Sequence, residues 1–134
     1  MGLSEEEKRS IVVYRLAKAR ETLDEISILI ENELWRFAAN RLYYACYYAA
    51  SALLVNSNHE TKTHSGVKNL LSMFYVKEGK IDKELSRVYG NLFNMRQKGD
   101  YEDWSIIEEK DVIPFLEPAE KFIETIENLI NTNN

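Results

Sequence analysis

One cysteine, two histidines, two prolines and five glycines are all that this chain of 134 residues holds of those types. The lone Cys46 rules out an intrachain disulfide and, set among alanines, reads as a buried reduced thiol. His59 and His64 lie five positions apart with only Glu60 between them as a further ligand type. They lack a third convergent ligand, so no metal or other cofactor is expected. No apolar run reaches the length needed to span a bilayer. The start, M-G-L-S-E-E-E-K-R, is acidic and has no apolar core of a secretion signal. Glu6 stands where a myristoylation signal needs Ser or Thr. Together these absences point to a cytoplasmic protein without membrane attachment. Alternating β-branched runs, Asn-Gly turns and internal repeats are also missing, which excludes a strand-built fold. The formal charge of −5 argues against a broad nucleic-acid-coating surface and leaves room for a local basic pocket.

What is present is helix. The length suits one domain over residues 1–134, with 45% hydrophobic residues to fill its core. Trp35 to Val55 contains no Gly or Pro and only two charges, Arg36 and Arg41. Trp35, Ala38, Leu42, Ala45, Ala49 and Ala52 share one helical stripe, and Ala39, Cys46, Ala50 and Leu53 lie beside it. An apolar surface this wide predicts a helix in the middle of a bundle. Before it, Ser4 and Glu7 form a capping box. Val12, Leu16, Ala19, Leu23, Ile26 and Ile30 then predict a helix from about Glu5 to Glu31. The break at Asn32-Glu33 is short enough to force these two helices antiparallel.

Beyond Val55 a polar loop leads to Thr61 or Thr63 as the cap of a third helix, with Val67, Leu70, Leu71 and Phe74 on its apolar face and Gly79 at its end. Asp82 opens a fourth helix with Leu85, Val88, Leu92 and Met95 as its seam, and Gly99 is expected to close it before a turn at Asp100 to Trp104. The last segment reads as one helix from about Asp111 to Ile130, with Pro114 in its first turn and Pro118 kinking it. A helix starting at Pro118 is the alternative. The expected fold is an all-α, up-down bundle of four long helices plus a fifth shorter or kinked C-terminal helix.

Three places carry chemistry. Arg41 lies on the second helix, one turn from Tyr44, in a run with Tyr43, Tyr47 and Tyr48. Lys62-Thr63-His64-Ser65-Gly66 opens the third helix, where free amides and the helix dipole suit an anion. There Lys62, Thr63 and Ser65 add donors, Gly66 permits close approach, and the dipole favours a neutral His64. The plainer reading makes Thr63 an ordinary cap and His64 a packing residue. Arg96 flanks the fourth seam, followed by Asp100 and Tyr101. It is either a cation aimed at a phosphate, with Tyr101 beside it, or a packed stem paired with Asp100.

The order R-L-Y-Y-A (residues 41–45), K-T-H-S-G-V (residues 62–67) and R-Q-K-G-D-Y (residues 96–101) resembles the HEPN domain family of bacteria and archaea, over about Ser4 to Leu129. The resemblance implies a small helical bundle that forms homodimers. It also implies pairing with a minimal nucleotidyltransferase as the toxin half of a toxin–antitoxin pair. Active members are metal-independent endoribonucleases using an R-x(4–6)-H motif. Here Arg96 matches the arginine, but Tyr101, Glu102 and Asp103 stand where the histidine would fall. A tyrosine is a poor base near neutral pH. Two functional readings follow from the resemblance. One is an RNA-acting protein in which Arg96 holds phosphate, Arg41, Lys62, Thr63 and Asp100 help bind it, and His64 or Tyr101 moves protons. The other is a non-catalytic module that binds a nucleotide or a nucleotidyltransferase partner. A third reading, from the residues alone, is a structural dimer in which Arg41, Arg96 and Asp100 form an internal ion network.

Overall fold

A computed structural model of the chain describes residues 2–59, 61–101 and 106–132, and the side chains of residues 99–101 also fall outside that description. The described residues form helices and turns without a strand. Helix α1 spans Glu5–Glu31 and α2 spans Trp35–Asn56. Helix α3 spans His64–Leu71 and continues as one π turn, Ser72–Val76. Helix α4 spans Lys83–Tyr101, and α5 is the single turn Glu109–Val112. A 3-10 turn, Ile113–Phe115, joins α5 to α6, Leu116–Thr132. The expected all-helical bundle is what forms.

The first two helices end where the sequence says they should. Ser4 accepts the Glu7 amide at 3.1 Å and Glu7 accepts the Ser4 amide at 3.0 Å, satisfying two of the otherwise orphaned amides of α1. Three helical segments close with the same pair of hydrogen bonds. Leu34 donates to the Leu29 carbonyl and Glu33 to that of Ile30; His59 to Leu54 and Asn58 to Val55; Lys80 to Tyr75 and Gly79 to Val76. The pivotal residues are left-handed: Glu33 at φ 55°, Asn58 at φ 63° and Gly79 at φ 76°. Only the last is the glycine that this conformation favours.

One expectation is corrected. Gly99 does not end the fourth helix, because α4 runs through it to Tyr101. Within a helix a glycine costs only about 1 kcal/mol relative to alanine, which neighbouring turns can absorb. The expected turn at Asp100 to Trp104 is therefore not confirmed: Asp100 and Tyr101 are helical, and 102–105 lie outside the described residues. Pro118 follows a 3-10 interruption of the last helical segment, as the expected kink would require. It sits in the first turn of α6, where its missing N–H is least costly. The interruption, Ile113–Phe115, contains Pro114, whose carbonyl Pro118 leaves without an amide donor.

Helix α2 is the axis of the fold, packing against α1, α3, α4, α5 and α6. Ala38, Ala45, Ala49 and Ala52 are completely buried, and small side chains here let helices approach closely. Cys46 is buried too, and burial pushes its thiol pKa upward. The chain itself thus covers the alanine stripe of α2. Arg20 on α1 clamps α6, its Nε and Nη2 donating to the two carboxylate oxygens of Glu127 at 3.0 and 2.6 Å. No helix among the described residues is long and apolar enough to cross a membrane.

Candidate functional site

The tyrosines of α2 form a shelf on which three helices meet. Tyr43 is fully buried, while Tyr44, Tyr47 and Tyr48 are half-buried. His64, the first residue of α3, lies flat on Tyr47, with ring centroids 4.3 Å apart and planes 16° from parallel. Its Nδ1 is 2.7 Å from the Tyr43 hydroxyl. Tyr43 stacks in turn on Tyr89 of α4 at 5.8 Å, and Tyr89 on Phe122 of α6 at 5.4 Å. A column of rings therefore runs from His64 at the surface into the core. Such pairs are worth about 0.5–1.5 kcal/mol each beyond the area they bury.

The two arginines singled out by sequence arrive at the same shelf. The Arg41 guanidinium carbon lies 5.2 Å from the Tyr44 ring centroid, and that of Arg96 lies 5.5 Å from the same centroid. Arg96 also lies 5.6 Å from the centroid of Tyr43. Both guanidiniums are drawn to the quadrupole of that ring. Arg41 is steadied by its neighbour: Nε and Nη2 donate to the Asn40 side-chain oxygen at 3.2 and 3.0 Å. No carboxylate pairs with it among the described residues.

Titration follows from this geometry. Burial holds the His64 pKa below its ordinary value, and the positive charge of Arg96 holds it lower still. His64 is thus neutral near pH 7. The expectation was right in direction, but the causes are burial and Arg96. Its Nε2 makes no hydrogen bond within the described residues and is the nitrogen left to face a ligand. Burial pushes the Tyr43 hydroxyl up to about 12, against the pull of Tyr89 and Arg96. Tyr89, also raised by burial, keeps a buried hydroxyl with no aligned partner among the described residues.

The rest of the K-T-H-S-G turn is spent on itself. The Thr63 hydroxyl accepts the Gly66 amide at 2.9 Å and so caps α3 rather than waiting for a ligand. A Cβ on Gly66 would stand 2.5 Å from both the Thr61 and Thr63 hydroxyl oxygens. Gly66 therefore serves the packing of this turn, not the approach of an anion. Lys62 is exposed just before the cap, with no partner among the described residues. The side chains of Asp100 and Tyr101 lie outside the described residues. His59 stacks on Phe74 at 3.8 Å, a packing role.

Sequence reasoning missed Arg15. It reaches from α1 to donate to the Ser51 hydroxyl at 2.6 Å, and its charge bears on Tyr47. Nothing in its local sequence pointed to this, because the contact depends on how α1 lies along α2.

The fold and the site together define a class: a small helical bundle with an arginine-flanked tyrosine shelf and a histidine at the mouth of its aromatic column. The chain belongs to the HEPN domain family, whose model matches residues 12–129. It is 40% identical over 124 residues to a UPF0332 protein of Thermotoga maritima, covering 92% of this chain and 94% of that one. It is 35% identical over 112 residues to a Methanocaldococcus jannaschii protein named a "putative toxin", covering 84% of this chain and 83% of that one. A second protein so named from that organism is 27% identical over 119 residues, covering 89% of this chain and 81% of that one. The fold matches the crystal structure of TT1696 from Thermus thermophilus with a TM-score of 0.75 at 16% identity, covering 87% of this chain and 96% of that one.

Proposed function

We propose that this HEPN protein acts on RNA as a cytoplasmic toxin-type protein, binding a backbone phosphate between Arg41 and Arg96 and using His64 for proton transfer. The observation that carries the reading is the meeting of His64 and Arg96 on one tyrosine pair, Tyr43 and Tyr44, though they come from different helices. The family's histidine is absent after Arg96, and His64 occupies a place from which it can take over that role. Similarity to proteins named putative toxins supports the toxin character. A second copy of the chain and a minimal nucleotidyltransferase are the partners that this reading expects.

In this mechanism Nδ1 of His64 keeps its proton and donates it to the Tyr43 oxygen, leaving the lone pair on Nε2 free. Nε2 takes the proton from a ribose 2′-hydroxyl. The 2′-oxygen bonds to phosphorus, the bond from phosphorus to the 5′-oxygen breaks, and the imidazolium returns its proton to that leaving oxygen. The products are a 2′,3′-cyclic phosphate and a 5′-hydroxyl. Arg41 and Arg96 hold the charge that builds on the phosphoryl oxygens.

The test is RNA cleavage in EDTA by the wild type, Arg96→Ala and His64→Ala, with folding checked by circular dichroism. The expected result is cleavage by the wild type and losses of about 10²–10⁴-fold in each variant. Absence of cleavage by the folded wild type removes the catalytic step. The second reading, a non-catalytic module that binds a nucleotide or partner through the same shelf, then stands. It is favoured by the departure of residues 101–103 from the family motif.

A further inference from the structure

Away from the tyrosine shelf, a groove of about 670 Å³ runs between α4 and the hairpin face of α3 and its π turn. Its charged lining is all of one sign: Lys68, Lys77, Lys83 and Arg87. Ser72, Ser86, Asn91 and Asn94 add uncharged hydrogen-bonding groups, and no carboxylate among the described residues lines it. In a chain with a formal charge of −5 this is a local reversal of sign. Three acids lie near the groove in sequence. Glu84 pairs with Arg87 itself, so the lysines carry the net positive charge of the lining; Asp82 accepts the Glu84 amide at 2.9 Å to cap the helix, and Glu78 is exposed.

The groove is joined to the tyrosine shelf. The Lys68 ammonium lies 5.1 Å from the centroid of Phe93, and Phe93 meets Tyr43 edge-on at 5.9 Å. Lys68 is one helical turn beyond His64, and Asn94 is two residues before Arg96. From Lys83 to Asn94 the helical rise is about 16 Å, room for a few backbone phosphates. The π turn belongs to the same wall, since Ser72 and Val76 both line the groove. Gly90 forms part of the groove lining. A Cβ there would meet only Lys68, at 3.8 Å, so packing does not demand a glycine at this point of the helix.

We propose that this groove is a track for the phosphate backbone of single-stranded RNA, delivering it to the shelf of His64 and Arg96. The inference rests on the proposed function and adds the path of the strand. The cations read backbone charge and leave sequence unread, so binding through the groove is strongly salt-dependent. Gly90 keeps the groove open where the strand passes.

The experiment measures binding of a dye-labelled, 2′-O-methylated decauridylate by fluorescence anisotropy between 50 and 200 mM salt. Methylation removes the attacking hydroxyl, so the strand stays whole. In the triple variant Lys77→Gln, Lys83→Gln, Arg87→Gln, all three altered side chains are exposed and the melting temperature should hold. The expected result is a salt slope smaller by about 2, at roughly 0.7 per phosphate contact, with affinity falling tenfold or more at low salt. Gly90→Leu keeps every charge and favours helix, yet should weaken binding by occupying the groove. A triple variant with the wild-type slope, or a Gly90→Leu variant with wild-type affinity, overturns the track. If Arg96→Ala loses binding while the groove variants do not, the track falls and the shelf stands. If the groove variants lose binding while Arg96→Ala does not, the track stands and the shelf falls. No binding by the wild type overturns both.

Discussion

The two faces of α2 are built from opposite materials. One is a stripe of alanines, Ala38, Ala45, Ala49 and Ala52, all completely buried. The other carries Tyr43, Tyr44, Tyr47 and Tyr48, of which only Tyr43 is completely buried. Alanine minimises the distance between helices and makes no demand for hydrogen bonds. Tyrosine holds neighbours apart, offers ring faces to cations and brings hydroxyls that need partners. The same helix thus joins the bundle on one side and opens it on the other. The place where it opens is where His64, Arg41 and Arg96 gather.

Substitutions on the two faces should therefore fail in different currencies. The largest effect is expected from His64→Ala, about 10²–10⁴-fold in RNA cleavage, well beyond what the about 1–3 kcal/mol of stability lost with its Tyr47 stack and Tyr43 hydrogen bond explains. Equal loss of cleavage and of stability would make His64 a packing residue. Next comes Ala49→Leu on the alanine stripe. Adding three carbons to a completely buried site should cost about 1–3 kcal/mol in urea unfolding, and any loss of activity should track the unfolded fraction. Tyr43→Phe sits between the two faces in kind. It keeps the ring and removes the hydroxyl that meets His64 Nδ1, so a loss of about 1 kcal/mol is expected, and cleavage should fall by more than stability explains.

The smallest effect is one of pH. The folded pKa of His64 lies below its ordinary value, so the unfolded chain binds more protons here as the solution becomes acidic. The stability linked to this group is present above about pH 6.5, the ordinary histidine value, and is lost as pH falls through the folded pKa. The difference in melting temperature between wild type and His64→Gln should therefore shift against the wild type from pH 7.5 to pH 5. A proton NMR titration giving His64 a midpoint at or above the ordinary value would contradict the burial and Arg96 argument.

Helix positions were legible wherever local chemistry decided them. The Ser4–Glu7 box fixes the start of α1, and the run from Trp35 to Val55 has nothing to interrupt it. Local rules misled at Gly99, where the identity of a breaker was read correctly but its effect depended on the register of the surrounding turns. The π turn at Ser72–Val76 carries no composition that separates it from an α turn. The site was legible in part. Arg41, His64 and Arg96 could be named from the order of motifs, and the structure brings them to one shelf. That Arg41 and Arg96 share Tyr44, and that Thr63 and Gly66 serve their own turn, are matters of how α2, α3 and α4 cross. Arg15 and the basic groove are likewise products of packing between segments far apart in sequence.

Cys46 has a use that neither folding nor catalysis requires. It is the single thiol of the chain, it is completely sealed, and its Sγ reaches only the Ala119 carbonyl of α6, at 4.0 Å. A thiol reagent can reach it only after α2 and α6 part, because the reacting species is an exposed thiolate. The rate at which such a reagent labels the native protein is therefore a clock for the opening of the bundle. It can be read without any engineered probe, with RNA or a partner present or absent.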